Sequence, residues 1–428
     1  MGRIGWLLVV LVTSLLWTRT SDSQVREKRL SKSRDWPQWR GARRDGVSTE
    51  TGLLDNWGVQ GPPLRWQVKG LGIGYSTVAV VGGRIFTMGA RGAKAFLICL
   101  DEKNGKEIWS TPVGTGRPNS TPTVEGDLVF ALGRHGNLIA ANRLTGQLVW
   151  RTHLVKAFGG VDSVKVGFSE SVLVDGSHVI CTPGGKDATL VALNRQTGKE
   201  IWRAALPKDV GKKGRDGSAY SSIVVSQACG VRQYIQFVGR GLISVRADNG
   251  RVLWTYNRIA NWGANVSTPI VQADTVFASS AYSTGAVLLK LTRHGNGVRP
   301  KPVYFLPHKV LQNHHGGMVH INGHIYAGHG HNKGFPVCIE MKSGKVAWRP
   351  GRGPGSGSAA VLYADGHLYF RYENGVMALI EANPKRYRLK GKFKIPSDLG
   401  KSWAHPVIAG GRLYLRDEDV LLCYDVRK

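Results

Sequence analysis

Apolar residues in this chain come in short runs of about three to six, broken by Gly- and Asp-rich turns, with little sign of helical period. Five segments share one frame, a polar residue followed by Gly four positions on and Trp eight positions on. They are Asp101–Gly105–Trp109, Asn142–Gly146–Trp150, Asn194–Gly198–Trp202, Arg246–Gly250–Trp254 and Glu340–Gly344–Trp348. Each follows an apolar stretch such as Leu97-Ile98-Cys99-Leu100 or Leu190-Val191-Ala192-Leu193. The frame predicts a hairpin: an apolar strand, a turn whose Gly takes positive φ, and a second strand ending in Trp. Upstream of each hairpin stand two further strand signals. One is a Ser/Thr-rich start (Tyr75-Ser76-Thr77, Ser120-Thr121-Pro122, Ser267-Thr268-Pro269), and the other is a Gly turn into β-formers such as Gly323-His324-Ile325-Tyr326. Four strands per unit, at a spacing of 41 to 52 residues, predict the blade of a β-propeller.

Final strands are expected to end near Trp66, Trp109, Trp150, Trp202, Trp254, Phe305, Trp348 and Phe393, and first strands to begin near residues 75, 120, 169, 220, 267, 317, 358 and 404. The last unit holds three strand signals, and an orphan strand lies at Leu64-Arg65-Trp66-Gln67-Val68. The prediction is an all-β fold, a single eight-bladed β-propeller whose ring closes when the N-terminal strand completes the last blade, leaving no open edge. Blades five and seven depart from the frame at 292–301 and 384–392. The domain plan is a signal peptide over 1–23, a basic linker and N-terminal extension over 24–63, and the propeller over 64–428. Residues 4–17 form an apolar run too short to span a bilayer, which fits an export leader; no lipid-anchoring Cys follows it. An exported chain of the periplasm, cell envelope or medium is expected, with no membrane span once the leader is removed.

Composition adds little about chemistry until charge is considered. The 56 Gly and 13 Trp are the punctuation and the docking groups of the blades, and 42% hydrophobic residues exclude a disordered basic tail protein. Five scattered Cys exclude a disulfide framework and a paired CxxC zinc site, and no CxxCH exists for covalent haem. Cys99, Cys338 and Cys423 fall at the strand position held elsewhere by Ala140, Ala192 and Ser244, a small core slot. Charge is lopsided, with 58 Lys and Arg against 29 Asp and Glu. The loops between blades are more basic still, at roughly three to one. For an exported protein this points to a protein partner or an anionic envelope or glycan partner, and not to nucleic acid.

In an up-and-down blade, the loop entering the first strand and the loop between strands two and three open on one face. Six of 13 His lie within 314–331. His314 and His315 enter the sixth blade, while His329 and His331 follow its second strand, so four imidazoles are expected on one rim. Tyr75, Tyr220 and His405 occupy first-strand starts of other blades and join them as candidate ligand-binding residues. Imidazoles in such a group bind an anion or substrate, serve as transition-metal ligands or as bases near neutral pH, or are only structural or solvated turn residues.

The frame seen from Leu193-Asn194 through Thr197-Gly198 to Trp202 resembles the tryptophan-docking repeat of quinoprotein dehydrogenases, and is equally similar to that of outer-membrane assembly lipoproteins. The opening Asp35-Trp36-Pro37-Gln38-Trp39-Arg40-Gly41 and the segment Asn313-His314-His315-Gly316-Gly317 look like the exported PQQ-like β-propeller repeat family. The dehydrogenase resemblance implies pyrroloquinoline quinone held with Ca²⁺. Glu170 and Asn265 then stand as two metal ligands, and Trp262 or Trp403 as the ring that stacks on the quinone. The vicinal disulfide and the third, acidic ligand of that group have no counterpart here. Two functions follow as expectations, with catalytic residues unassigned. The first is a binding or scaffold module for an anionic or protein partner; the second is a quinone-dependent alcohol dehydrogenase.

Overall fold

The in-frame glycines Gly105, Gly146, Gly198, Gly250 and Gly344 all hold φ between 70° and 76°, each closing a hairpin as the frame requires. Four of them do a second job. A Cβ on Gly146, Gly198 or Gly250 would sit 2.5–2.8 Å from the Trp ring of the preceding blade (Trp109, Trp150, Trp202), and one on Gly105 would meet Trp66 of the last blade. The repeat is therefore a lock between neighbours, in which each Trp needs a residue without a side chain in the next blade. Opposite each Trp on its own sheet is the small slot: Cys99 faces Trp109, Ala140 faces Trp150, Ala192 faces Trp202, Ser244 faces Trp254 and Cys338 faces Trp348.

A computed structural model describes Gly2, residues 34–397 and residues 399–428. The leader expected over 1–23 (Gly2 apart) and the basic run 24–33 lie outside the described residues, as does Asp398. The rest forms eight four-stranded antiparallel sheets, the blades, at 79–115, 123–153, 173–204, 224–256, 270–307, 318–348, 359–394 and 407–425. Leu64–Val68 pairs with Val420–Asp425 and supplies the eighth blade's outer strand, so the ring closes as expected. Apolar clusters fill the spaces from blade to blade; one runs from Val80 and Ile85 of the first blade through the eighth to Tyr369 and Phe393 of the seventh.

One feature departs from the sequence reading, and a second goes beyond it. First, ladder pairing begins one to four residues later than expected, at 79, 123, 173, 224, 270, 318, 359 and 407. The Ser/Thr lead-in segments pair through side chains instead. Thr77 N–H donates to Thr121 Oγ1 (3.3 Å), Thr121 N–H to Ser171 Oγ (2.9 Å) and Ser171 N–H to Ser222 Oγ (3.0 Å), a belt of hydroxyls passing from blade to blade. Backbone N–H groups this close to the channel axis have no neighbouring strand, so a hydroxyl satisfies them.

Second, residues 34–63 are packed into the ring. Trp36 and Val80 exchange two 2.8 Å backbone hydrogen bonds, Ser48 N–H reaches Tyr363 O, and Leu54 N–H reaches Val426 O. Between these points two arginines enter the channel fully buried. Arg44 donates to Ser171 O (2.5 Å) and Val172 O (3.1 Å) in the third blade, and Arg40 donates to Met318 O in the sixth and to Asp45 O (2.8 Å). The guanidinium fork suits several carbonyls at once, which is how the segment closes the channel on the side of the turns joining strands one and two.

Candidate functional site

The belt positions everything beyond it. One residue or two outside the hydroxyls, the lead-in segments present Tyr75, Asn119, Ser169, Tyr220, Val266 and Trp403 to the channel, and the strand-two-to-three loops add Arg134, Tyr282, Asn332 and Glu373. With His314, His315 and His405 they enclose a pocket of about 360 Å³, at the mouth the blade geometry designates. Its floor is Trp39, whose indole donates to Thr268 Oγ1 (3.2 Å) and lies 4.4 Å from the His405 ring. The N-terminal plug thus turns a through-channel into a blind pocket.

One wall is a crescent of rings in contact, stacked only at His315 on Trp403 and tilted or edge-to-face elsewhere. The Arg117 guanidinium lies 4.2 Å over Tyr75, Tyr75 is 4.7 Å from Trp403, and His315 stacks on Trp403 at 4.2 Å. His314 follows at 4.1 Å, then His331 at 4.2 Å and Tyr282 at 4.6 Å. Burial holds the imidazoles neutral, with nearby positive groups adding to it. His314 is lowered to about 2 by burial with His315 and His331, His315 to about 3 by burial with His405 and Lys401, and His405 to about 3 by burial with Arg40. His314 is pinned at both nitrogens, Nδ1 to Ser358 Oγ (2.9 Å) and Nε2 to Tyr282 Oη (3.1 Å).

The acids around the pocket are engaged. Glu373 lines it, but its carboxylate pairs with Lys401 (3.4 Å) and accepts from Ser358 N–H (3.3 Å). Glu418, close by, pairs with Arg117 and accepts from Gly74 N–H. The loop bearing Lys401 and Trp403 is tied down by Asp417, which accepts from Ser397 Oγ and Ser402 Oγ and pairs with the buried Arg371 (3.4 Å). The charged residues of the lining are Arg134, Lys401 and Glu373, a formal excess of one positive charge.

A family model described as outer membrane protein assembly factor BamB matches residues 61–165 and 97–350. The chain belongs to that family. It is 26% identical over 330 residues to tetrathionate hydrolase of Acidithiobacillus ferrooxidans, covering 74% of this chain and 53% of that one. It is 30% identical over 269 residues to BamB of Burkholderia pseudomallei, covering 60% of this chain and 64% of that one. The chain thus spans less than two thirds of the length of either curated relative. The solved quinohemoprotein alcohol dehydrogenase from Comamonas testosteroni superposes with a TM-score of 0.65 over 95% of this chain and 82% of its own, at 14% identity, a likeness of fold alone.

Within this BamB-type propeller, the pocket brings together Tyr75, Tyr220, His314, His315, His405 and Trp403 of the residues singled out from sequence. His331 joins through its ring contacts. His329 does not line the pocket; its Nδ1 accepts from Gln312 N–H (3.2 Å), its Nε2 faces Arg349 (3.5 Å), and burial lowers it to about 4. Trp262 is 59% exposed and stands outside the lining, in a shallow dent with Arg215 and Ser163.

Glu170 and Asn265, expected as metal ligands, also lie outside the lining. Glu170 is fully buried, accepts from Thr182 N–H (2.7 Å), and is pushed up to about 8 by burial, with Arg44 the neighbouring charge. Asn265 spends its amide on Val238 O and Gly239 O and its carbonyl on Asn261 and Ser280. Among the described residues no group of three or more His, Cys, Asp and Glu is arranged to hold a metal ion. One face of Trp403 is already covered by His315. These residues do not fit a Ca²⁺-bound quinone. Sequence reading missed Trp39, Tyr282, Arg134, Asn332 and Glu373. The last four sit on strand-two-to-three loops, so counting strands within each blade would have found them; Trp39 carries no such signal.

Proposed function

We propose that the protein is an exported binding propeller that captures the anionic end of a partner in the pocket at its channel mouth. One observation carries the reading. A cavity of the size of an amino-acid or sugar residue is edged by Arg134 and Lys401, floored above the buried Arg40, and has one lining carboxylate that is already paired. Such a pocket raises the local concentration of anions and loses that advantage as salt rises. The assembly-factor relatives support a polypeptide as the partner, and the sequence of residues 1–23 supports export.

The test is calorimetric titration with a short peptide of cysteate residues, against its serine counterpart. The cysteate peptide should bind, weaken as salt is raised, and weaken at least about tenfold in Arg134→Ala/Lys401→Ala, in line with two charge contacts of ~1 kcal/mol each. Equal binding of the serine peptide, or an unchanged affinity in the variant, refutes the reading.

A second reading has its own observation. Tyr282 Oη, hydrogen-bonded to His314, gives the pocket a hydroxyl with an imidazole behind it, the pairing used in acid–base chemistry, and one relative acts on tetrathionate. That reading is an enzyme for a small oxyanion. Mixing with tetrathionate should then consume it with release of acid; no consumption sinks it.

A further inference from the structure

The imidazoles of the pocket have a feature that anion binding alone does not need. Both nitrogens of His314 meet hydroxyls, Ser358 Oγ at Nδ1 and Tyr282 Oη at Nε2. A hydroxyl donates or accepts by rotating its proton, and Ser358 Oγ has an acceptor of its own in Asn332 Oδ1 (3.4 Å). Ser358 therefore donates to Asn332 and accepts from His314 Nδ1–H, which leaves Nε2 to accept the Tyr282 O–H. A second proton on the ring costs none of these contacts. Nε2–H then donates to Tyr282 Oη, and the Tyr282 proton is released to point elsewhere, with the pocket open beside it. His331 packs on both rings, and its Nδ1 is buried with no hydrogen-bond partner.

We infer that anion capture in this pocket takes up a proton on the His314–His331 pair, and that Tyr282 turns its hydroxyl to the bound anion as this happens. The inference rests on the anion-binding reading above. The groups facing the pair set the sign. His315 and His405 lie on the same wall; Lys401 and Arg134 are at the mouth and Arg40 is below the floor; Glu373, from the seventh blade, is tied to Lys401 and Ser358. Burial keeps both rings below the usual histidine range in the empty pocket, with His315 and His331 adding to the lowering of His314 and Glu373 opposing it. An anion placed among them supplies the missing opposite charge and raises both. The bound state then holds more protons than the free state, so affinity must rise as pH falls. Because the rings touch, the proton belongs to the pair and not to one member.

The cysteate peptide suits the test because its sulfonates stay ionised across the range used. Its binding to the full chain would be titrated from pH 7 to pH 4.5, and at pH 5 in two buffers of different ionisation enthalpy. Expected are tightening of about tenfold across the range and a heat that changes with buffer by the fraction of a proton taken up. His314→Gln/His331→Gln should bind with one affinity at every pH, whatever its level, and Tyr282→Phe should lose most of the gain at low pH. Binding with one affinity throughout and no buffer effect overturns proton coupling and leaves anion capture standing. A pH dependence that persists in the double variant overturns the assignment to this pair. Absence of binding at every pH overturns the anion reading itself.

Discussion

Replacing Glu170 by Gln should make the fold more stable at pH 8 and abolish a loss of stability that the unchanged protein suffers as pH rises. In the folded chain this carboxyl is fully buried, its Oε1 has no hydrogen-bond partner, and burial lets it keep its proton up to about 8, against an ordinary value of 4.5. The unfolded chain ionises near 4.5, so between these two values it binds fewer protons than the native state. Stability therefore falls with rising pH across that window and is unaffected by this group below it. At about 1.4 kcal/mol per pH unit the full effect is of order 5 kcal/mol, the scale of a buried charge lacking a complete set of partners. Glutamine keeps the acceptor for Thr182 N–H and cannot ionise. The measurement is the difference in denaturant midpoint between the two proteins at pH 5 and pH 8. The difference matters because His314, His315 and His405, all held low, act oppositely and lower stability as pH falls below the histidine range. An equal midpoint at pH 8 would mean that Arg44 fully compensates a charged Glu170.

That residue also marks where sequence reading stops. Glu170 precedes Ser171 at a lead-in position, and position alone made it look like a ligand. What decides its role is Arg44, 126 residues earlier, in a segment with no strand period and a composition that normally faces solvent. Arg44 is drawn inside by carbonyls of residues 171 and 172, and Arg40 by those of residues 316 and 318. No local pattern encodes contacts of that sequence separation. The blades were legible because their signal is local and repeated: hairpin turn, small slot and Trp all fall within about a dozen residues. Closure by Leu64–Val68 was legible because an orphan strand and a three-stranded unit leave one topological solution. The pocket was half legible. Its mouth and its imidazoles followed from blade geometry, whereas its floor came from the plug. The delayed start of the ladders has a similar origin, since Ser and Thr read as strand formers while here their hydroxyls replace a missing strand.

The largest effect expected of a single small substitution follows from the lock between blades. Gly250→Ala places a methyl 2.5 Å from the Trp202 ring, on a backbone at φ 73° that glycine alone adopts at little cost. Trp202 cannot withdraw, because its other neighbours are the buried Tyr234 ring at 6.3 Å and the fully buried Ala192 opposite it on its own sheet. Backbone strain of about 1 kcal/mol and overpacking of about 1–3 kcal/mol should together lower stability by roughly 2–4 kcal/mol. Trp202→Ala should cost about 3–5 kcal/mol through the cavity it leaves. The two changes touch the same space, so the double variant should be less destabilised than the sum by at least about 1 kcal/mol, because the vacated ring removes the clash and leaves only the φ strain. A denaturant-unfolding cycle measures this coupling directly. Additive losses would show that the glycine serves its own turn alone, and that the five-fold frame is a hairpin signal without a role in joining the blades. Coupling of the expected size would make each blade's Trp dependent on its neighbour's turn. A ring built of such contacts holds the lead-in segments of successive blades in register, and the pocket with them.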